Sequence, residues 1–158
     1  MSKAILRGAQ SIVPSITVND GAAAIEFYKK AFGAEVQFLM TEPSAGKVAY
    51  AELRIGGSYF TLNDEVPQMQ ALSPKTRGGP TGGFNIYVDD CDALYKQAVE
   101  AGAIPKMPPM DMFWGDRCGG IDDPFGHRWG ISTKKEELSV DEIERRREEM
   151  MKSMAKKA

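Results

Sequence analysis

The sequence predicts an α+β fold: two tandem βαβββ modules followed by a C-terminal helix. Three observations carry this reading. First, Asp123-Pro124-Phe125-Gly126 has the chemistry of a type I turn. Pro124 presets φ at the second position, Asp123 can accept a backbone N–H, and Gly126 suits the fourth position. The turn joins two strand-like runs, Arg117–Asp122 and His127–Thr133. Second, the same kind of hairpin stands 69 residues earlier, where Ile55-Gly56-Gly57 joins Val48–Ile55 to Ser58–Asn63. That offset sets Gly57 on Gly126, Phe60 on Trp129 and Leu62 on Ile131. Third, the helix ends Gly33-Ala34 and Gly102-Ala103 fall on the same offset, and the strand residues Val18 and Val88 on 70. A period near 70 met twice marks a duplication, whereas a solenoid needs three or more units.

The first module opens with Ile12–Val18, an alternating run whose Pro14 lacks an N–H and so belongs at a sheet edge or a strand start. Asn19 and Asp20 can cap the next helix. In Ala22–Phe32, Ile25, Tyr28 and Phe32 share one face at helical spacing, and Gly33 suits the left-handed position that ends it. Strands follow at Glu35–Met40, Val48–Ile55 and Ser58–Asn63. Asp64–Thr81 is a Pro- and Gly-rich connector, longer than a normal loop, suited to a crossover or a flap. The second module repeats the order. Phe84–Val88 is a strand, Asp89 and Asp90 offer caps, Asp92–Ala101 is a helix, and Gly102 ends it. Ile104–Met107 is a weak strand, Pro108–Asp116 a loop, and the Asp123 hairpin closes the unit. Ser139-Val140-Asp141-Glu142 is a capping box that starts a polar helix running toward Met154. The expected boundaries are 11–64 for module one, 65–81 for the linker, 82–135 for module two and 139–155 for the last helix.

Bulk properties narrow the function classes. Apolar residues make up 42%, charged residues 27%, and the net charge is −2. This is an ordinary globular composition without the basic footprint of a nucleic-acid binder. No run approaches the roughly 18 apolar residues of a membrane helix. Met1–Gln10 shows neither an apolar h-region nor a cleavage site, so a cytoplasmic location is expected. Cys91 and Cys118 lack metal-like spacing and read as free thiols. There is one histidine and no nucleophile triad, and the glycine clusters lack the Lys and strand–helix setting of a phosphate loop.

The duplicated unit, with its Val-Asn-Asp and Val-Asp-Asp helix starts and its Asp-Pro-Phe-Gly-His-Arg-Trp hairpin, resembles the vicinal oxygen chelate superfamily. That superfamily includes glyoxalase I, extradiol dioxygenases and the fosfomycin and bleomycin resistance proteins. The stretches Ala24–Ala34, Leu72–Thr76 and Phe113–Arg117 resemble its PhnB-like branch. The resemblance covers about Ile12 to Arg147 and implies one curved mixed sheet, whose two half-cups enclose a cleft with the helices outside. It also implies a homodimer. It implies metal ligands at four cleft-facing positions, which fall here on Val13, Thr61, Gly83 and Gly130. Two further positions where the branch often has histidine fall on Asn85 and Tyr50. None of Val13, Gly83 or Gly130 can ligate through a side chain, and divalent ions in such sites want imidazole and carboxylate. No metal or other cofactor is therefore expected, although a shifted site built on Glu52, Asp116 or Asp122 stays open.

Alternation puts Trp129 and Ile131 toward the helix and Arg128 and Gly130 toward the cleft, with Phe60 and Leu62 against Tyr59 and Thr61 in the first unit. His127 falls on the helix side, as a packing or hydrogen-bonding residue. Met107–Trp114 gathers Met107, Met110, Met112, Phe113 and Trp114. It reads either as a plug or interface segment, or as a lid whose aromatic rings stack on a flat ligand. Tyr50, Tyr59, Thr61, Asn85 and Tyr87 offer polar tips, and Arg117 and Arg128 offer charge. The two arginines read first as surface or structural ion-pair residues; Arg117 beside Cys118 is a hint of thiol activation, but the reading preferred for Cys118 is an inert thiol. The expected function is small-molecule binding: an apolar or aromatic ligand held between the modules without a metal, by a chain with no nucleic-acid or membrane partner. The alternatives are a metal-dependent lyase, isomerase or dioxygenase with a rearranged site, and a structural role with the cleft filled by its own side chains.

Overall fold

The computed structural model describes residues 11–156; Met1–Gln10, read above for a leader, lies outside them. Module one is β1 (Ser15–Val18), α1 (Gly21–Phe32), β2 (Glu35–Thr41), β3 (Val48–Ile55) and β4 (Ser58–Asp64). The connector holds a 3₁₀ turn, Pro67–Met69, and a short helix α2 (Pro74–Arg77). Module two is β5 (Gly83–Tyr87), α3 (Cys91–Glu100), β6 (Ile104–Asp111), β7 (Asp116–Asp122) and β8 (Arg128–Lys134), and α4 (Val140–Ala155) follows. The expected pair of βαβββ modules is present. Hydrogen bonding closes within each module, giving two four-stranded mixed sheets ordered β1-β4-β3-β2 and β5-β8-β7-β6. In each, the first strand runs parallel to the last.

The duplication extends to the bonds that set each helix. Asp20 caps α1 by accepting from Ala23 N at 3.0 Å, and Asp90 caps α3 by accepting from Ala93 N at 2.9 Å. Gly33 ends α1 at φ 65°, where a Cβ would be strained. A side chain near the end of each last strand then catches the next free N–H of the helix. Asp64 accepts from Gly21 N at 2.8 Å and from Val48 N at 2.7 Å, while Thr133 Oγ1 accepts from Cys91 N at 2.8 Å. Gly21 is required at its position because a Cβ there would lie 2.7 Å from that of Val48.

The helix-facing sides of the two sheets share one core around Trp129. Its ring lies 4.8 Å from Phe32, 4.7 Å from Phe84 and 6.0 Å from Phe60, centroid to centroid. The Asp123 turn supplies the polar centre of this core. Gly126 N donates to Asp123 O at 3.1 Å, as the turn type requires, and Gly126 sits at φ 93°. The Asp123 carboxylate is 1% exposed. Its Oδ1 accepts from Phe125 N and His127 N, each at 2.9 Å, and its Oδ2 from Trp129 Nε1 at 2.9 Å and Tyr28 Oη at 2.7 Å. The last bond crosses from module two to α1. Burial, reinforced by this carboxylate, pushes the Tyr28 hydroxyl well above its usual pKa. Three further bonds cross the junction: Gln97 Nε2 donates to Lys30 O at 2.9 Å and to Ala31 O at 3.1 Å, and His127 Nε2 lies 2.9 Å from Thr17 O. Since a carbonyl only accepts, His127 carries its proton on Nε2.

Several sequence expectations are corrected. The first strand begins at Ser15, not Ile12; β1 is an edge strand, and Pro14 contributes only its carbonyl, which accepts from Thr61 N at 2.9 Å. The connector is structured. Glu65 accepts from Ser73 N at 2.7 Å and Thr76 Oγ1 at 2.6 Å, which fixes the start of α2. The run Pro108–Asp111 continues strand β6 and is not a loop.

Helix α4 has no buried residue and is held by its own charges. Ser139 Oγ accepts from Glu142 N at 3.3 Å. Hydrogen bonds from Arg145, then Arg146, lower the Glu142 pKa from 4.5 to about 2. A pKa depressed by folding gives stability that is complete above the unfolded value and lost as pH falls through the folded one. Far-UV circular dichroism should therefore show α4 losing helix as the pH falls from 4.5 to about 2. Glu142→Gln should remove that component of the titration.

Candidate functional site

A cavity of ≈ 710 Å³ opens between edge strand β5 and the β3–β4 hairpin. Its apolar wall comes from both modules: Phe32, Ile55 and Phe60 from the first, Phe84, Leu94 and Trp129 from the second. Ser58, Tyr59, Asn85 and Tyr87 supply its polar side chains. The cavity follows from β5 being an edge. One parity of β5 holds Phe84 and Ile86 and the other Asn85 and Tyr87, and all four border the space beside it. Cavities of a few hundred cubic ångströms with apolar walls and few polar groups suit small organic molecules.

The other predicted residues gather in two further places. Tyr87, Trp114 and Phe113 meet around Asp116, which is 3% exposed. Asp116 Oδ2 accepts from Tyr87 Oη at 2.9 Å and Trp114 Nε1 at 3.1 Å, and Lys134 Nζ lies 3.2 Å from Oδ1. The bond to Asp116, helped by partial burial, raises the Tyr87 pKa. Phe113 packs edge-on against Trp114 at 4.8 Å. On module one, Tyr50 Oη donates to Glu52 Oε1 at 3.0 Å, and Thr61 pairs with Glu52 across the strands.

Two predicted residues are engaged elsewhere. Arg117 forms a bidentate pair with Asp92, at 2.7 and 2.8 Å, and reaches Asp111 at 3.1 Å. Alternation along β7 sends it to the α3 side, away from Cys118, in keeping with the ion-pair reading of Arg117 and the inert reading of the thiol. Cys118 Sγ instead accepts from Ser132 Oγ at 3.1 Å, and both cysteines are free. Arg128 is exposed and faces Asp122 at 3.3 Å. The lid is corrected in part. Met107 and Met110 lie on edge strand β6, paired with Gly120 and Cys118, and only the tight turn at Met112–Gly115 carries Phe113 and Trp114.

A family model for the glyoxalase/bleomycin resistance protein/dioxygenase superfamily matches residues 10–131. The chain belongs to this superfamily. Among relatives of this glyoxalase-superfamily chain, the uncharacterized protein Mb0911c of Mycobacterium bovis is 39% identical over 137 residues, which is 85% of this chain and 90% of that one. The crystal structure of the At5g48480 product of Arabidopsis thaliana matches with a TM-score of 0.61 at 26% identity, covering 78% of this chain and 98% of the other. A PhnB protein from Bacillus cereus, titled a putative 3-demethylubiquinone-9 3-methyltransferase, shares the fold with a TM-score of 0.60 at 16% identity, covering 78% and 99%.

Superfamily membership raises the question of a metal. The donor set at the implied positions does not fit one. β1 pairs with β4 so that Ser15 faces Thr61, and β5 pairs with β8 so that Gly83 faces Arg128 and Asn85 faces Gly130. These positions offer hydroxyls, an amide and bare glycine, and the Asn85 amide already fills the space where a side chain at 130 would stand. Among the described residues, no three His, Cys, Asp or Glu side chains come together as ligands. Glu52 sits on β3, Asp116 and Asp122 stand at opposite ends of β7, and Asp116 and Asp122 face lysine or arginine.

The sequence reading missed the apolar wall: Phe32, Phe60, Leu94 and Trp129 look like ordinary core positions. The available signal was β5 itself, a short strand beginning at Gly83 whose bulky residues fall on both parities.

Proposed function

We propose that this chain binds a small, largely apolar or aromatic molecule in the cavity between its modules. The observation that supports this most is the cavity's wall, which combines aromatic rings from both modules with the polar side chains of Ser58, Tyr59, Asn85 and Tyr87. Flat rings find offset or edge-on partners in Phe84 and Trp129. Asn85 and Tyr87 give a ligand's polar group something to bond, so one end of the molecule is held and the rest is accommodated by shape. Binding of this kind needs no ion.

Trp129 lines the cavity and Trp114 does not, so a Trp114→Phe variant leaves one reporter, at the proposed site. A planar probe such as 1-naphthol should quench its emission saturably. Ile86→Phe, which adds volume at the cavity wall, should weaken that binding by about tenfold, or ~1.4 kcal/mol. Quenching that stays linear in probe, or that is equal in the filled variant, would overturn the proposal.

A further inference from the structure

A second cavity, ≈ 350 Å³, lies under the connector between edge strand β1 and the start of β5. Its chemistry differs from that of the inter-module cavity. No Asp or Glu lines it. Arg77, on α2, does: one of its nitrogens donates to Gln70 O at 2.8 Å, and it forms no ion pair among the described residues. Ser15 and Thr81 add hydroxyls, and Ile16, Leu72 and Phe84 form an apolar wall. His127 also lines it, but its proton-bearing nitrogen is committed to Thr17 O. The connector is rigid enough to define a pocket, since Glu65 fixes the start of α2 and Pro74 packs on the Gly126 turn.

We propose that the connector pocket is a binding site for a small organic carboxylate, with Arg77 meeting its charge and Ile16, Leu72 and Phe84 meeting its body. A guanidinium with no ion pair among the described residues, in an acid-free pocket, favours an anion, and the planar fork left beside its bond to Gln70 O matches a carboxylate. The apolar wall selects an organic acid over inorganic phosphate, which needs donors on every side. The site is separate from the one proposed for the apolar ligand, although Gly83 and Phe84 border both.

Isothermal titration of the full chain with benzoate, benzyl alcohol and inorganic phosphate tests this. Benzoate should bind at one site, and the other two should give no binding heat. Arg77→Gln should weaken benzoate by about tenfold or more and Arg77→Lys by less, because lysine keeps the charge but not the fork. Quenching of Trp129 by 1-naphthol should be unchanged in Arg77→Gln, which separates this site from the other cavity. No benzoate binding, equal binding of benzyl alcohol, binding of phosphate alone, or unchanged benzoate affinity in Arg77→Gln would each overturn the proposal.

Discussion

Asp123→Ala is expected to destabilise the protein by about 3–5 kcal/mol, the range seen when one side of a buried charged network is removed. The carboxylate has four donors, and every one of them loses its acceptor: two backbone N–H groups of the turn, the Trp129 indole and the Tyr28 hydroxyl. The site is 1% exposed, so water does not readily replace it. For a chain of this length the loss should lower Tm by about 10 °C or more. Asp123→Asn separates the parts. The amide oxygen can still serve the turn, but its NH₂ then faces the indole N–H, donor against donor, so an intermediate loss is expected. Tyr28→Phe removes only the inter-module bond and should cost about 1–2 kcal/mol. Thermal denaturation of the three variants measures the series; equal Tm values for Asp123→Ala and the parent would show that the hub does not hold the modules together.

The second large effect is expected at Asp64. Its two oxygens hold Gly21 N at the start of α1 and Val48 N at the start of β3, and the residue is buried. Asp64→Ala leaves both N–H groups without an acceptor, at about 1–3 kcal/mol each. A total near 2–6 kcal/mol is expected from chemical denaturation. Thr133→Val, the corresponding change in module two, removes one acceptor, that of Cys91 N, and should cost about half as much. Comparable losses at the two positions would mean that the two modules are not anchored as their bonds suggest.

Much of the fold was legible because it rests on local chemistry. Trp129 and Ile131 are buried on one parity of β8, as Phe60 and Leu62 are on β4, and Asp20, Asp90 and Ser139 cap the helices expected of them. Only the first half of strand β6 was legible; Pro108–Asp111 was not, because Pro108 and Pro109 read as loop. An edge strand tolerates them, since the missing N–H groups can face outward, and bulges absorb the irregular register. Arg117 takes the ion-pair role open to it in the sequence, but its partners Asp92 and Asp111 lie on other elements and no local pattern names them. The site was less legible than the fold. Tyr59, Asn85 and Tyr87 do share one cavity, but its walls come from two modules whose mutual placement is set by Asp123, Gln97 and His127, and no local pattern encodes that placement.

The Tyr28–Asp123 bond also has a consequence in time. Its partners are 95 residues apart, so a ribosome releases α1 long before it makes the acceptor for the Tyr28 hydroxyl. Until the second hairpin emerges, Phe27, Tyr28 and Phe32 have no Phe125 or Trp129 to rest on. The nascent first half is therefore the vulnerable stage of biosynthesis, with sticky aromatic surface exposed while translation runs on.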